Sequence, residues 1–166
     1  LLNQYFSRMH DVIEKHDGHI LNYIGDSIMI VFGAPNEVDD HELKAVECAV
    51  EMRKVLDELN DEWDKVEFSR YWKNHGINKV EARAGIHSGS VIAGNIGSDR
   101  MLQYSAIGDV VNVAARLEQS NKEFGTDICF SHEIYINLKK DLHDNASLSG
   151  EIKLKGRSSP LKVYSI

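Results

Sequence analysis

Residues 18–33 read GHILNYIGDSIMIVFG, and this stretch constrains the fold more than any other. Two runs rich in β-branched and apolar residues, Ile20 to Ile24 and Ser27 to Phe32, flank the pair Gly25-Asp26. A two-residue connection can only join antiparallel strands, and Gly at its first position suits a type II′ turn. The run IMIVF is almost continuously apolar, which predicts a strand covered on both faces.

Helical periodicity lies on either side of it. Tyr5, Phe6, Met9, Val12 and Ile13 form one stripe that stops at Asp17-Gly18. After Pro35 and the acidic stretch EVDDHE, the residues Ala45, Ala49, Met52, Leu56 and Leu59 recur at helical spacing and predict a core-facing helix. Residues 60–78 are polar and dotted with aromatics, which predicts a surface loop or helix extension in which Trp63 and Trp72 pack or make partner contacts rather than bind ligand. Strands are expected over Val80 to His87, Met101 to Ala106 and Thr126 to Phe130. A helix is expected from Asp109 to about Glu123, and a closing hairpin from Ile152–Lys155 and Leu161–Ile166. Helices interleaved with tightly connected strands predict an α+β fold, with a largely antiparallel sheet carrying helices on one face.

At 166 residues, 42% hydrophobic and 27% charged, the chain reads as a single globular domain over 1–166. A net charge of −7 argues against nucleic acid as a partner, though not against a nucleotide whose charge a metal ion neutralises. Cys48 and Cys129 are the only cysteines, lie in no CxxC spacing, and read as small core residues of a protein in a reducing compartment. No apolar run approaches the ~20 residues that span a bilayer, so no direct membrane insertion is expected. The sequence opens without Met in a pattern already helical, which reads as a segment of something longer.

The residues with chemical potential are few. On a helix at ~100° per residue, Val110, Val113, Ala114 and Leu117 of SAIGDVVNVAARLE share one stripe, and Asn112 and Arg116 lie together on the opposite side. An amide beside a guanidinium can grip a planar anionic group, and the arginine fork suits phosphate oxygens; a solvated helix face is the plain alternative. Asp26 is equally open, since a turn aspartate commonly caps backbone groups. GxxxxGK[ST], GxGxxG, HExxH and GxSxG are all absent, and His87 reads as a packing or capping residue.

Four stretches in order resemble the catalytic domain of class III nucleotide cyclases, the adenylate and guanylate cyclases. GHILNYIGDSIMIVFG resembles the family's hairpin and RAGIHSG its central strand and turn. YSAIGDVVNVAARLE resembles its transition-state helix and LKGRSSPLKVY its closing hairpin. The resemblance implies a ferredoxin-like sheet with helices packed on it. It also implies conversion of a nucleoside triphosphate to its 3′,5′-cyclic monophosphate and pyrophosphate at a homodimer interface, with two Mg²⁺ or Mn²⁺ ions. By it, Asp26 is the second metal-binding aspartate, Asn112 orients the ribose, Arg116 stabilises charge on the α-phosphate, and Lys155 holds the triphosphate.

The family's first metal aspartate lies in a strand resembling FxDIxGFT, upstream of the first helix. The resemblance therefore implies a fragment, nearly inactive alone, cut from a cytoplasmic catalytic domain with a covalently linked sensor. Base choice in the family rests on two positions, here Asn22 and Ser105. Lys in the first accompanies adenine and Glu guanine, whereas Asn and Ser each donate and accept. Ser105 is nearer the adenine-type residue, so ATP is expected ahead of GTP. The competing reading is a catalytically silent, cyclase-like dimerisation or regulatory domain. A diguanylate cyclase is disfavoured because YIGDS does not match that family's turn.

Overall fold

The computed structural model describes residues 1–154, 156 and 159–166. Helix α1 (Leu2–Lys15) leads into the hairpin β1 (Gly18–Ile24) and β2 (Ser27–Phe32), followed by α2 (His41–Lys65) and the short α3 (Arg70–Lys73). Next come β3 (Ala84–Ile86), a second hairpin of β4 (Ile92–Ser98) and β5 (Met101–Ile107), and α4 (Asp109–Phe124). The chain closes with β6 (Ile128–Ser131), α5 (His132–Tyr135), α6 (Lys140–Asn145), β7 (Ser147–Ile152) and β8 (Leu161–Ser165).

The α+β class is as expected, and strand pairing is mixed and largely antiparallel. A four-stranded sheet runs β3-β6-β8-β7, with β3 parallel to β6 and the other pairs antiparallel. The hairpins β1–β2 and β4–β5 each form a separate hydrogen-bonded pair. Helix α2 unites the parts. Its Leu56, Leu59 and Trp63 pack with Met9, Val12 and Ile13 of α1 over Ile20, Ile28 and Ile30 of the first hairpin. Its Val46 and Ala49 pack with Ile134 of α5 against Ile128 and Phe130 of the four-stranded sheet.

Alternation along β6 sends Cys129 to the other face. There Val113 and Leu117 of α4 close over it with Ile152, Leu161 and Val163. Helices therefore lie on both faces of this sheet, α2 and α5 on one and α4 on the other. Both cysteines are buried, as read from the sequence.

Several boundaries moved for identifiable reasons. The strand expected over Val80–His87 is confined to Ala84–Ile86. Asn60 supplies the bonds a ladder would have made at Val80, donating to its carbonyl and accepting from its N–H, both at 2.9 Å. Strand β6 begins two residues later than expected, and the closing hairpin takes its first strand from Ser147–Ile152, so that Ile152 faces Leu161. Strand β2 is half-buried, because α1 and α2 cover only the face bearing Ile28, Ile30 and Phe32. Residues 60–78 extend α2 and form α3. Trp63 is buried there, donating to Gln4 at 2.8 Å and meeting Trp72 edge-on.

Candidate active site

Helix α4 is the element on which the candidate site is built. Val113 and Leu117 are buried, and burying each stabilises by ~1.5–3 kcal/mol. That fixes the rotation of the helix. Asn112 consequently faces solvent, and Arg116, one turn on, keeps 42% of its side chain exposed. The pairing expected from periodicity is realised, and the Arg116 guanidinium is engaged by Glu123 at 3.1 Å.

Two residues that sequence reasoning passed over seat this helix. Gly85 of β3 lies so close to α4 that a Cβ there would fall 2.1 Å from the Glu118 nitrogen and 2.2 Å from the Ala114 carbonyl oxygen. Asn121 is 1% exposed; its amide donates to the carbonyls of Ala84 at 2.8 Å and Glu118 at 3.0 Å, and its oxygen accepts from Thr126 at 2.8 Å. The first glycine of RAGIHSG was the one readable signal, because a strand glycine often marks close backbone approach.

Asp26 sits at the exposed tip of the first hairpin. Gly25 has φ 64°, and Asp26 is not among the residues with positive φ, as a type II′ turn requires. Burial, and after it the Asp26 carboxylate, hold the Tyr5 hydroxyl above its ordinary pKa, so the negative charge is felt at α1. Among the described residues no group of three or more His, Cys, Asp or Glu could hold a metal ion. Asp26 offers one hard, accessible oxygen donor. That fits Mg²⁺ or Mn²⁺ arriving with a triphosphate, since Mg²⁺ commonly takes one or two carboxylates plus phosphates, and does not fit a cage made by this chain.

Asn22 is exposed on β1 and Ser105 half-buried on β5, and their strands meet. The Gln103 amide donates to the Leu21 carbonyl at 3.2 Å, and the His19 and Tyr104 rings touch edge-on with centroids 5.5 Å apart. The structure thus brings together Asn112 with Arg116, and the strand of Asn22 with that of Ser105. No hydrogen bond or ion pair among the described residues joins Asp26 to Asn112 or Arg116. Lys155 lies outside the described residues. The His87 side chain is buried, with its Nδ1 2.8 Å from Ser131 Oγ and 3.8 Å from Glu133, which is the packing role expected.

The sequence matches the family described as Adenylate and Guanylate cyclase catalytic domain over residues 1–166. This chain belongs to that family. The cyclase domain is 34% identical over 166 residues to adenylate cyclase 1 of Rhizobium meliloti (strain 1021), covering all of this chain and 23% of that protein. It is 30% identical to the adenylate cyclase of Anabaena cylindrica, covering 99% of this chain and 31% of that one. The domain therefore spans a third or less of these relatives. Its fold matches the crystal structure of the guanylyl cyclase Cya2, with a TM-score of 0.79 and 32% identity over 99% of this chain and 77% of that one. It also matches the adenylyl cyclase CyaB from P. aeruginosa, with a TM-score of 0.76 and 31% identity over 99% and 79% of the two chains. Among the described residues no helix of the cyclase domain is long and apolar enough to cross a membrane.

Proposed function

We propose that this domain converts a nucleoside triphosphate, ATP ahead of GTP, into its 3′,5′-cyclic monophosphate and pyrophosphate, at a site shared between two copies of the chain. The observation that carries this reading is the exposed Asn112–Arg116 pair on a helix whose opposite face is locked into the core. Mutually complementary halves explain why Asp26 is displayed on one element and Arg116 on another without contact: one copy offers the carboxylate and its partner the α4 face.

In the reaction the ribose 3′-oxygen forms a bond to the α-phosphorus, the bond from that phosphorus to the bridging oxygen breaks, and pyrophosphate leaves; the 3′ proton passes to solvent. Bound Mg²⁺ or Mn²⁺, two ions per site, would make the 3′-hydroxyl more acidic and neutralise phosphate charge. Asn112 holds the ribose so that its 3′-oxygen points along the line of attack. Arg116 exchanges Glu123 for the α-phosphate oxygens, where negative charge accumulates. Lys155 holds the triphosphate tail. Asn22 and Ser105 read the purine edge, and as each can donate and accept, the preference for ATP is modest.

The test is to express the domain with its native upstream sequence, incubate it with Mn²⁺ and ATP or GTP, and quantify each cyclic nucleotide. Arg116→Ala should lower turnover by ~10²–10³. Asp26→Asn should be equally damaging, and mixing the two dead variants should restore part of the activity, because one interface of the heterodimer regains every residue. A folded, dimeric sample making neither product would leave a silent regulatory domain as the better reading.

A further inference from the structure

We infer that Glu42 is a positioning residue for the reaction: through Ser88 and the connection 87–91 it sets where the first turn of α4, and with it Asn112, stands. The inference rests on the reading that Asn112 holds the ribose.

Residues 87–91 join β3 to β4 and lie in no strand or helix, so no ladder fixes their course. Side chains fix it instead. His87 turns toward the end of β6, its Nδ1 2.8 Å from Ser131 Oγ. Ser88 donates its hydroxyl to Glu42 Oε1 of α2 at 2.9 Å. The same carboxylate oxygen meets His41 Nε2 at 3.0 Å, and the Glu42 side chain is only 18% exposed. A hydrogen bond to a carboxylate is roughly twice as strong as one between neutral groups, and little water competes for this one.

The other side of the connection supports α4. A Cβ on Gly89 would fall 2.8 Å from Val110 Cγ2, and one on Gly108 would fall 3.5 Å from the Ser90 carbonyl oxygen and 3.6 Å from Val91 Cα. Gly108 is the N-cap of α4 and brings no side chain to bond the free N–H groups of the first turn. That turn rests against residues 89–91. Gly85 and Asn121 grip α4 from Ala114 onward, whereas Asn112 lies before that grip, one turn from Gly108. Glu42 thus acts from the α2 face of the sheet on the α4 face, by way of this one connection.

The experiment uses the domain with its native upstream sequence, Mn²⁺ and ATP. It measures kcat, KM, the dissociation constant of a fluorescent ATP analogue and the melting temperature. Glu42→Leu keeps bulk and removes the acceptor. It should lower kcat ~10-fold with KM and analogue affinity little changed, because misplacing an orienting group acts on the chemical step. Glu42→Gln keeps an acceptor and should retain kcat near wild type. Ser88→Ala should reproduce the loss and Ser88→Thr should avoid it, which decides the matter even where Glu42→Leu fails to fold. In an Asn112→Ala background, Glu42→Leu should take nothing further from kcat, since both changes remove one interaction. Equal losses with and without Asn112 would overturn the inference. So would a lower melting temperature with kcat unmoved, which marks a merely structural bond. If Asn112→Ala lowers kcat while Glu42→Leu and Ser88→Ala do not, the ribose reading stands and the positioning role falls. If Asn112→Ala leaves kcat unchanged, or the wild-type domain makes no cyclic product, the ribose reading fails and the inference falls with it.

Discussion

Gly85 of β3 lies directly against the backbone of α4 at Glu118, with room for a hydrogen atom and nothing larger. Strand and helix meet main chain to main chain, and this contact sets the height at which Asn112 and Arg116 stand above the sheet. The site geometry and the packing of the core therefore share one residue.

Gly85→Ala should be destabilising out of proportion to one methyl group, since its Cβ meets backbone rather than a side chain that can swing away. A cost on the order of 3 kcal/mol is expected for such overpacking. At this chain length that corresponds to a melting temperature lower by ~6–12 °C. Thermal denaturation followed by circular dichroism measures it directly, and a melting point within two degrees of wild type, or about that, would refute the contact.

Asn121→Leu should cost ~1–3 kcal/mol, because the Ala84 carbonyl loses a buried donor while the volume is retained. Urea denaturation gives the difference as a shift in midpoint at constant slope. Cyclase activity per folded molecule should fall as well, since the C-terminal half of α4 loses its tie to β3.

Glu123→Gln should release Arg116 from its competing carboxylate. Exposed ion pairs are worth about 0–1 kcal/mol, so the KM for the triphosphate should drop by at most ~5-fold with kcat little changed. Steady-state kinetics in low salt test this; an increased KM would mean that Glu123 orients Arg116 rather than competing for it.

Acid should loosen the junction between α1 and α2. Hydrogen bonds from Lys15, then His16, hold the Glu51 carboxyl below its ordinary pKa of 4.5. A depressed folded-state pKa gives stability that is present above the unfolded value and lost as pH falls through the folded one. Wild type should therefore melt above Glu51→Gln at neutral pH, with the gap narrowing below pH 4.5 as the carboxylate takes up its proton. A gap unchanged down to acid pH would count against the Lys15–Glu51–His16 cluster.

Cys48 should resist alkylation in the native protein. Burial, with the Glu51 charge adding to it, pushes its thiol up to about 12, so the reactive thiolate is scarce at neutral pH. Mass spectrometry after iodoacetamide treatment should show Cys48 unmodified until the fold is opened with denaturant.

The hairpin at Gly25-Asp26 and the face pattern of α4 were legible because each depends on residues close in sequence: a two-residue turn, and a stripe repeating with the helix period. Strand β4 was not foreseen. Its Gly94 and Gly97 carry little strand preference, and it is a strand because β5 pairs with it from Ile92 to Ser98. The Val80 end of the third expected strand fell to Asn60, whose amide bonds a backbone twenty residues on.

By itself the sequence determined which residues can do chemistry and which faces must be buried, since side-chain type and periodicity are local properties. Asn112 beside Arg116, Asp26 at a turn and the two buried cysteines all follow from it. Only the tertiary structure decided how those parts are held: Gly85 under α4, Asn121 clamping β3, and the Leu21 carbonyl held by Gln103. These are contacts between residues 29 to 82 positions apart, where one ångström of backbone approach or one carbonyl freed from a ladder decides the partner. No local pattern encodes such distances, because they arise when separate elements pack and their leftover hydrogen-bonding groups must each be satisfied.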